Sequence, residues 1–365
     1  MKAGSNSKVV SGLLMLMLWA IPIHVGAQDT PVFVKGDGST FASPIYRQWI
    51  EMFEKENSGV HLTYVSNGSG AGIHDVMLGT VDFAGTDGPL NKTQMLDFST
   101  HRNCEILHFP TALGADVPIY NIPGVTQELR FTPDALAGIY LGEITKWNDS
   151  RIVQSTGVRL PPNDIVVVHR KDGSGTTYVW TDYLSKVSPK WRNEVGLGIS
   201  VIWPVGLAGG GNQGVVELVD RTPYSIGYSE LSYAIQQQLL YGSVENSSGR
   251  FIKASSASVT AAAAGVVDNM PDDFRVSITD APGPTAYPIS SFTWMLIPSV
   301  VAEPAKRDAM VGFLRWGLTT GQGILDGLSY APLPQAVISR EQSAIDRIRA
   351  ANSGSAQSAT SASAR

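Results

Sequence analysis

One cysteine, Cys104, stands in 365 residues, so the chain makes no internal disulfide and leans on its apolar core. Beside Ile106-Leu107 it reads as a small buried apolar residue. Charge is sparse as well, at 16% of residues, with a formal net charge of −5 and no basic run. That excludes a global pull toward nucleic acid or an anionic membrane, so an anion has to be caught by local dipoles and a few placed cations. No Gly-x-Ser-x-Gly elbow, phosphate-loop Gly-x-x-x-x-Gly-Lys-Ser/Thr or His-Glu-x-x-His helix occurs. His61, His74, His101, His108 and His169 show no paired spacing for a metal, and no cofactor is expected. A long apolar run is missing too. Val9–Ile23 is broken by Ser11, Gly12 and Pro22, and with Lys2, Lys8 and Val25-Gly26-Ala27 it reads as a cleaved secretory leader over 1–27. Cleavage would remove two lysines and no acid, taking the charge from −5 to −7. No cysteine lies at the cleavage point, which excludes lipid attachment there and makes the expected compartment periplasmic. The Ser/Ala/Gly stretch 351–365 is too poor in apolar residues to pack and reads as disordered.

Glycine, by contrast, is plentiful, with 37 residues. One pattern occurs three times: Gly36-Asp37-Gly38-Ser39-Thr40 after Val32-Phe33-Val34, Asn67-Gly68-Ser69-Gly70 after Val60–Val65, and Asp172–Thr177 after Ile165–Val168. Each is a strand that breaks at glycine and hydroxyl residues and opens a helix. Glycine lets backbone approach a ligand, and a helix's first turn offers free N–H groups at the positive end of its dipole. Three such turns converging would cage a small oxyanion.

Apolar spacing predicts helices at Ser43–Asn57, Gly72–Leu78, Pro133–Tyr140, Thr177–Val187, Ala305–Thr320 and Gln335–Ala350. Short strands are predicted at Val81–Ala84, Ser225–Tyr228 and Phe292–Ile297. The alternation implies an α/β protein with mainly parallel sheets and ligand sites at the carboxyl ends of strands. Ala254–Pro271, rich in Ala and Ser, reads as an exposed helix and loop, a surface insertion. Gly206–Gly214 lacks the lysine of a nucleotide loop and reads as a tight inter-element loop.

Several segments together resemble the periplasmic phosphate-binding proteins of phosphate ABC transporters. They are Gly38–Tyr46, Val81–Leu90, Tyr140–Trp147, His169–Thr177 with Tyr183-Leu184, Pro204-Val205-Gly206 before Gly209–Gly214, and Ile226-Gly227-Tyr228. The likeness runs from about Val32 to Ile348. It implies a two-domain, hinged α/β binding protein, with 30–108 and 286–350 as one discontinuous domain, 109–285 as the other, and phosphate in the cleft. Position by position, the family's phosphate ligands fall on Thr40, Phe41, Ser69, Asp87, Arg170, Ser174, Gly175 and Thr176. The implied partners are inorganic phosphate and the permease and ATPase subunits of a transporter. A monomer that binds no nucleic acid is expected.

The residue chemistry fits. Stripping water from phosphate costs many kcal/mol, so each oxygen needs replacement donors. Backbone N–H groups and hydroxyls of the three turns can supply them. Arg170 adds one full charge whose planar fork grips two oxygens, and Asp172, two residues on, can orient that fork. Asp87 is the diagnostic residue, because a carboxylate accepts the proton that phosphate keeps and sulfate lacks. Its other reading is a helix N-cap near Pro89. Two alternatives stay open: a phosphate sensor read by a signalling partner, and a secreted phosphatase or esterase with Ser69 or Ser174 as nucleophile.

Overall fold

The computed structural model describes residues 1, 2, 4 and 30–351, so most of the leader and nearly all of the 351–365 tail lie outside the described residues. Three strands, β1 (Val32–Gly38), β2 (Val60–Val65) and β3 (Phe83–Thr86), pair in parallel with β1 in the middle. The next strand, β4 (Ile106–Asn121), is 16 residues long and buried at all but its last position. Further along come β5 (Val166–Arg170), β6 (Leu207–Gly209), β7 (Ser225–Glu230) and β8 (Ser290–Pro298). The sheet runs β2-β1-β3-β8-β4-β7-β5-β6.

This sheet is mixed, where a mainly parallel one was expected. β5 pairs in parallel with β6 and β7, but β8 is antiparallel to β3 and β4, and β4 to β7. The reason is the length of β4. Its Ile106–Ala115 half pairs with β8, and its Asp116–Asn121 half pairs with β7, so one strand stitches two parallel groups together.

Four helices each follow a strand of the parallel groups: α1 (Ser43–Glu56), α2 (Ser69–Leu78), α3 (Gly175–Val187) and α4 (Gly211–Arg221). α1 buries Ile45, Tyr46, Trp49 and Phe53, a stripe at helical spacing, and Trp49 Nε1 donates to the Gly321 carbonyl at 3.0 Å. Trp180 of α3 stacks on Tyr228 of β7, with centroids 5.0 Å apart and planes 13° apart. Such a pair adds about 0.5–1.5 kcal/mol beyond its buried area, and it fixes α3 against the sheet.

Several expected elements shift. α2 and α3 start earlier than the apolar periodicity indicates, at Ser69 and Gly175, because small residues at a helix start carry no apolar signal. β3 begins at Phe83, since half-buried Asp82 instead exchanges hydrogen bonds with Lys35 outside the ladder. The last helix stops at Ala344, and Arg349–Ala350 pairs with Val300–Val301. The Ala/Ser segment is no exposed insertion: the helix Ser256–Ala264 buries Ser258, Val259, Ala262 and Ala263 against β4 and β8. Cys104 is half-buried beside a small apolar cluster with Ile73, Val76 and Ile106.

Candidate functional site

Glycine turns leave the carboxyl ends of β1, β2 and β5, and they meet. Gly70 N–H donates to the Gly173 carbonyl at 2.8 Å, and Gly175 N–H donates to Ser69 Oγ at 3.0 Å. The contact requires glycine. A Cβ on Gly175 would lie 2.3 Å from Asp87 Oδ2, 2.6 Å from Asp87 N and 2.6 Å from Ser69 Oγ. Thus Ser69, Asp87 and Gly175 come from three loops into one contact. Thr40, Phe41, Ser69, Asp87, Arg170, Ser174 and Thr176 are all at most 7% exposed, and Gly175 is buried.

The hydroxyls point their protons by elimination. Ser174 caps α3, its Oγ accepting from Thr177 N–H at 3.0 Å. Thr176 Oγ1 accepts from an Arg170 guanidinium nitrogen and from Asn212 Nδ2, both at 3.1 Å. Thr40 Oγ1 accepts from Asn212 Nδ2 at 2.9 Å and Asn212 N–H at 3.2 Å. Each of these hydroxyls is an acceptor in the contacts it makes here, so its own proton is left to donate. First-turn N–H groups of α2 and α3 have no intrahelical acceptor and add to the same positive field.

Arg170 ends β5, 3% exposed. Its Nε donates to Asp172 Oδ1 at 2.9 Å and a terminal nitrogen donates to Asp172 Oδ2, so the carboxylate holds the fork in plane. Burial alone would raise the Asp172 carboxyl, but Arg170 and the Gly211 N–H hold it below its ordinary value. His169, next in sequence, turns away and stacks on Trp203 with centroids 4.9 Å apart.

Asp87 does not cap a helix: Asn91 caps the helix Lys92–Arg102. Its carboxyl is 1% exposed and accepts from Ser39 Oγ at 2.7 and 2.6 Å and from Thr293 Oγ1 at 2.7 Å. Burial pushes it up to about 6, against the lowering pull of Ser39, Thr293, Arg170 and Ser69.

Sequence reasoning missed the fourth turn. Gly206–Gly214 is β6 followed by the start of α4 rather than a tight connecting loop, and it brings Asn212 into the site fully buried. Asn212 Oδ1 accepts from Glu230 N–H at 3.1 Å, which orients the amide so that Nδ2 joins Thr40 to Thr176. The signal was present in Leu207-Ala208-Gly209-Gly210-Gly211-Asn212, a strand broken by glycines before a helix. Ser39 lay within the first turn and Thr293 gave no signal, but the role of both exists only once Asp87 is beside them. Neither Ser69 nor Ser174 has a histidine among its recorded hydrogen-bond partners, and the described residues contain no His/Cys/Asp/Glu cluster able to hold a metal.

Turns at strand ends, an enclosed hydroxyl cage and one oriented guanidinium define an α/β receptor for a small anion, built on the periplasmic-binding-protein fold. A solved phosphate-binding protein from Stenotrophomonas maltophilia shares that fold, with a TM-score of 0.65 at 17% identity over 86% of this chain and 93% of its own. Residues 25–320 match the model of the PBP superfamily domain. Phosphate-binding protein PstS of Pasteurella multocida is 39% identical over 89% of this chain and 94% of its own length. PstS of Xylella fastidiosa (strain Temecula1) is 37% identical over 85% and 84%. The chain belongs to the PstS family of phosphate-binding proteins.

Proposed function

We propose that this chain is an exported receptor that binds inorganic phosphate in the cage and delivers it to the permease and ATPase subunits of an ABC transporter. Thr40, Phe41, Ser69, Arg170, Ser174 and Thr176 donate to the phosphate oxygens, Gly175 closes the cage with its N–H on Ser69 Oγ, Asp172 holds the Arg170 fork, and Asp87 accepts a proton from the ligand. Membership of the PstS family supports the transport assignment. No helix among the described residues is long and apolar enough to cross a membrane, in keeping with a receptor that works beside one. The two lobes are the parallel groups on either side of β4, and the chain binds without catalysing.

One observation carries the reading: a buried carboxylate inside a cage otherwise made of donors. An anion with no proton would face Asp87 unpaired, which costs several kcal/mol in a dry site. Phosphate near neutral pH keeps a proton and donates it. The same enclosure rejects phosphate esters, since residues exposed by a few per cent leave no path for a substituent.

The test is calorimetric titration of the protein, freed of carried-over ligand, first with phosphate and then with sulfate. One-to-one binding of phosphate without a sulfate signal is expected. Binding of both anions would remove the role given to Asp87, and binding of neither would remove the receptor assignment.

A further inference from the structure

Behind Phe41 lies a cluster of buried oxygens that the phosphate cage does not use. Tyr330 Oη lies 2.7 Å from the Phe41 carbonyl oxygen and 2.8 Å from Glu230 Oε2. Ser232 Oγ sits 3.1 Å from the same tyrosine oxygen and also contacts Glu230 Oε2, which accepts from Ser232 N–H at 2.8 Å as well. Glu230 and Tyr330 are both fully buried.

Count the protons. The tyrosine hydroxyl has one, and a carbonyl has none. Serving the Phe41 carbonyl uses the only proton of Tyr330, so its contact with Glu230 needs a proton from the glutamic acid. If Glu230 ionises, its charge draws the tyrosine proton to itself, and the Phe41 carbonyl loses its donor in a fully buried cluster.

We propose that Glu230 is a protonated positioning residue, which through Tyr330 holds the Phe41 turn in its phosphate-binding shape. This rests on the receptor reading above. It makes phosphate affinity depend on a proton that neither touches phosphate nor sits on Asp87.

The surroundings agree. Asp116 of β4 is the register partner of Glu230, and neither of its carboxyl oxygens has a hydrogen-bond partner, nor has Glu230 Oε1. Two buried carboxyls in register do not both ionise. Asp87 and Tyr233 also act on the cluster; Arg170, which acts on Asp116 and Tyr233, is engaged by Asp172 and Thr176, and Arg47 acts on Tyr233. Burial pushes Glu230 up to about 8, against the lowering effect of Ser232 and Tyr330. The sign follows: a proton needed for binding is present below that pH and lost above it, so affinity falls as pH rises.

The experiment measures phosphate Kd by calorimetry across pH 8 for wild type and Glu230→Gln, whose amide still donates to Tyr330 but does not titrate. Above about pH 8 phosphate is already the dianion and Asp87 already ionised, so neither distorts the comparison. Wild-type Kd should rise by up to about tenfold per pH unit there, and the variant's should stay flat. Equal slopes in the two proteins, or a flat wild type, would overturn the proposal. Should Glu230→Gln fail to fold, Tyr330→Phe replaces it, with weaker binding at every pH and no alkaline slope expected. Infrared spectra of the wild type, with its buried acid assigned by selective labelling of glutamate, must also lose a protonated-carboxyl band through the same pH range. A protein that binds no phosphate at any pH would end the receptor reading itself. Binding with slopes unchanged by the variant would end only the role of Glu230.

Discussion

At the scale of one residue, the proposed selectivity rests on Asp87. Burial pushes its carboxyl up to about 6, and above that pH the proposed role has it ionised and accepting a proton from the ligand. Below that pH it is neutral and offers a proton of its own, so an anion without one no longer meets an unpaired charge. Discrimination against sulfate should therefore weaken as pH falls through about 6, measured as the ratio of sulfate to phosphate Kd. Asp87→Asn should produce the same loss at neutral pH, because the amide is an acceptor and a donor at once. Losing discrimination on the order of 10⁴ is the size of effect expected where a site's buried polar group is left unpaired. Sulfate binding that stays absent in Asp87→Asn would sink this role.

At the scale of elements, the site is four strand–turn–helix junctions and the loop after β3 that carries Asp87, each bringing a small number of polar atoms. Asn212 ties them. Through one amide it reaches Thr40 after β1, Thr176 at the start of α3 and the Glu230 N–H at the end of β7. Asn212→Ala should free both hydroxyls to turn and leave the Glu230 N–H buried without an acceptor. Loss of about 1–3 kcal/mol is expected, read as roughly tenfold to a hundredfold weaker phosphate binding with a lower melting temperature. Unchanged affinity would mean that α3 and β1 fix the hydroxyls without help. Much of this scale was legible beforehand. Three of the four turns followed from glycine and hydroxyl residues after apolar runs, and the Arg170–Asp172 pairing followed from their two-residue separation, although the strand ends at Arg170. The fourth turn was missed because β6 is three residues long, too short for an apolar run to show. The helix Ser256–Ala264 was misplaced because alanine does not distinguish a buried face from an exposed one.

For the whole molecule, the proposed hinge falls on the long strand β4. It changes partner between Ala115 and Asp116, from β8 to β7, and the segment Ile289-Ser290 lies alongside that change. A strand common to two groups keeps a ladder on each side of that change, which suits a hinge. Closing of the lobes on phosphate should shrink the radius of gyration in small-angle X-ray scattering, with saturation at one equivalent. An identical profile with and without phosphate would remove the hinged mechanism while leaving the cage intact.

The sequence by itself determined the α/β class, the family, the three glycine turns and the residue types that a protonated oxyanion needs. These depend on local chemistry: glycine frees the backbone, hydroxyls and N–H groups donate, and apolar spacing sets the helices. Only the tertiary structure decided which oxygens face Asp87, that Asn212 joins the turns, and that Glu230 and Tyr330 stand behind Phe41. Those contacts join residues 48 to 206 positions apart for Asp87 and 100 for Glu230 and Tyr330. A chain read in order shows what each group can donate or accept, but burial and direction exist only after strands far apart in sequence have paired.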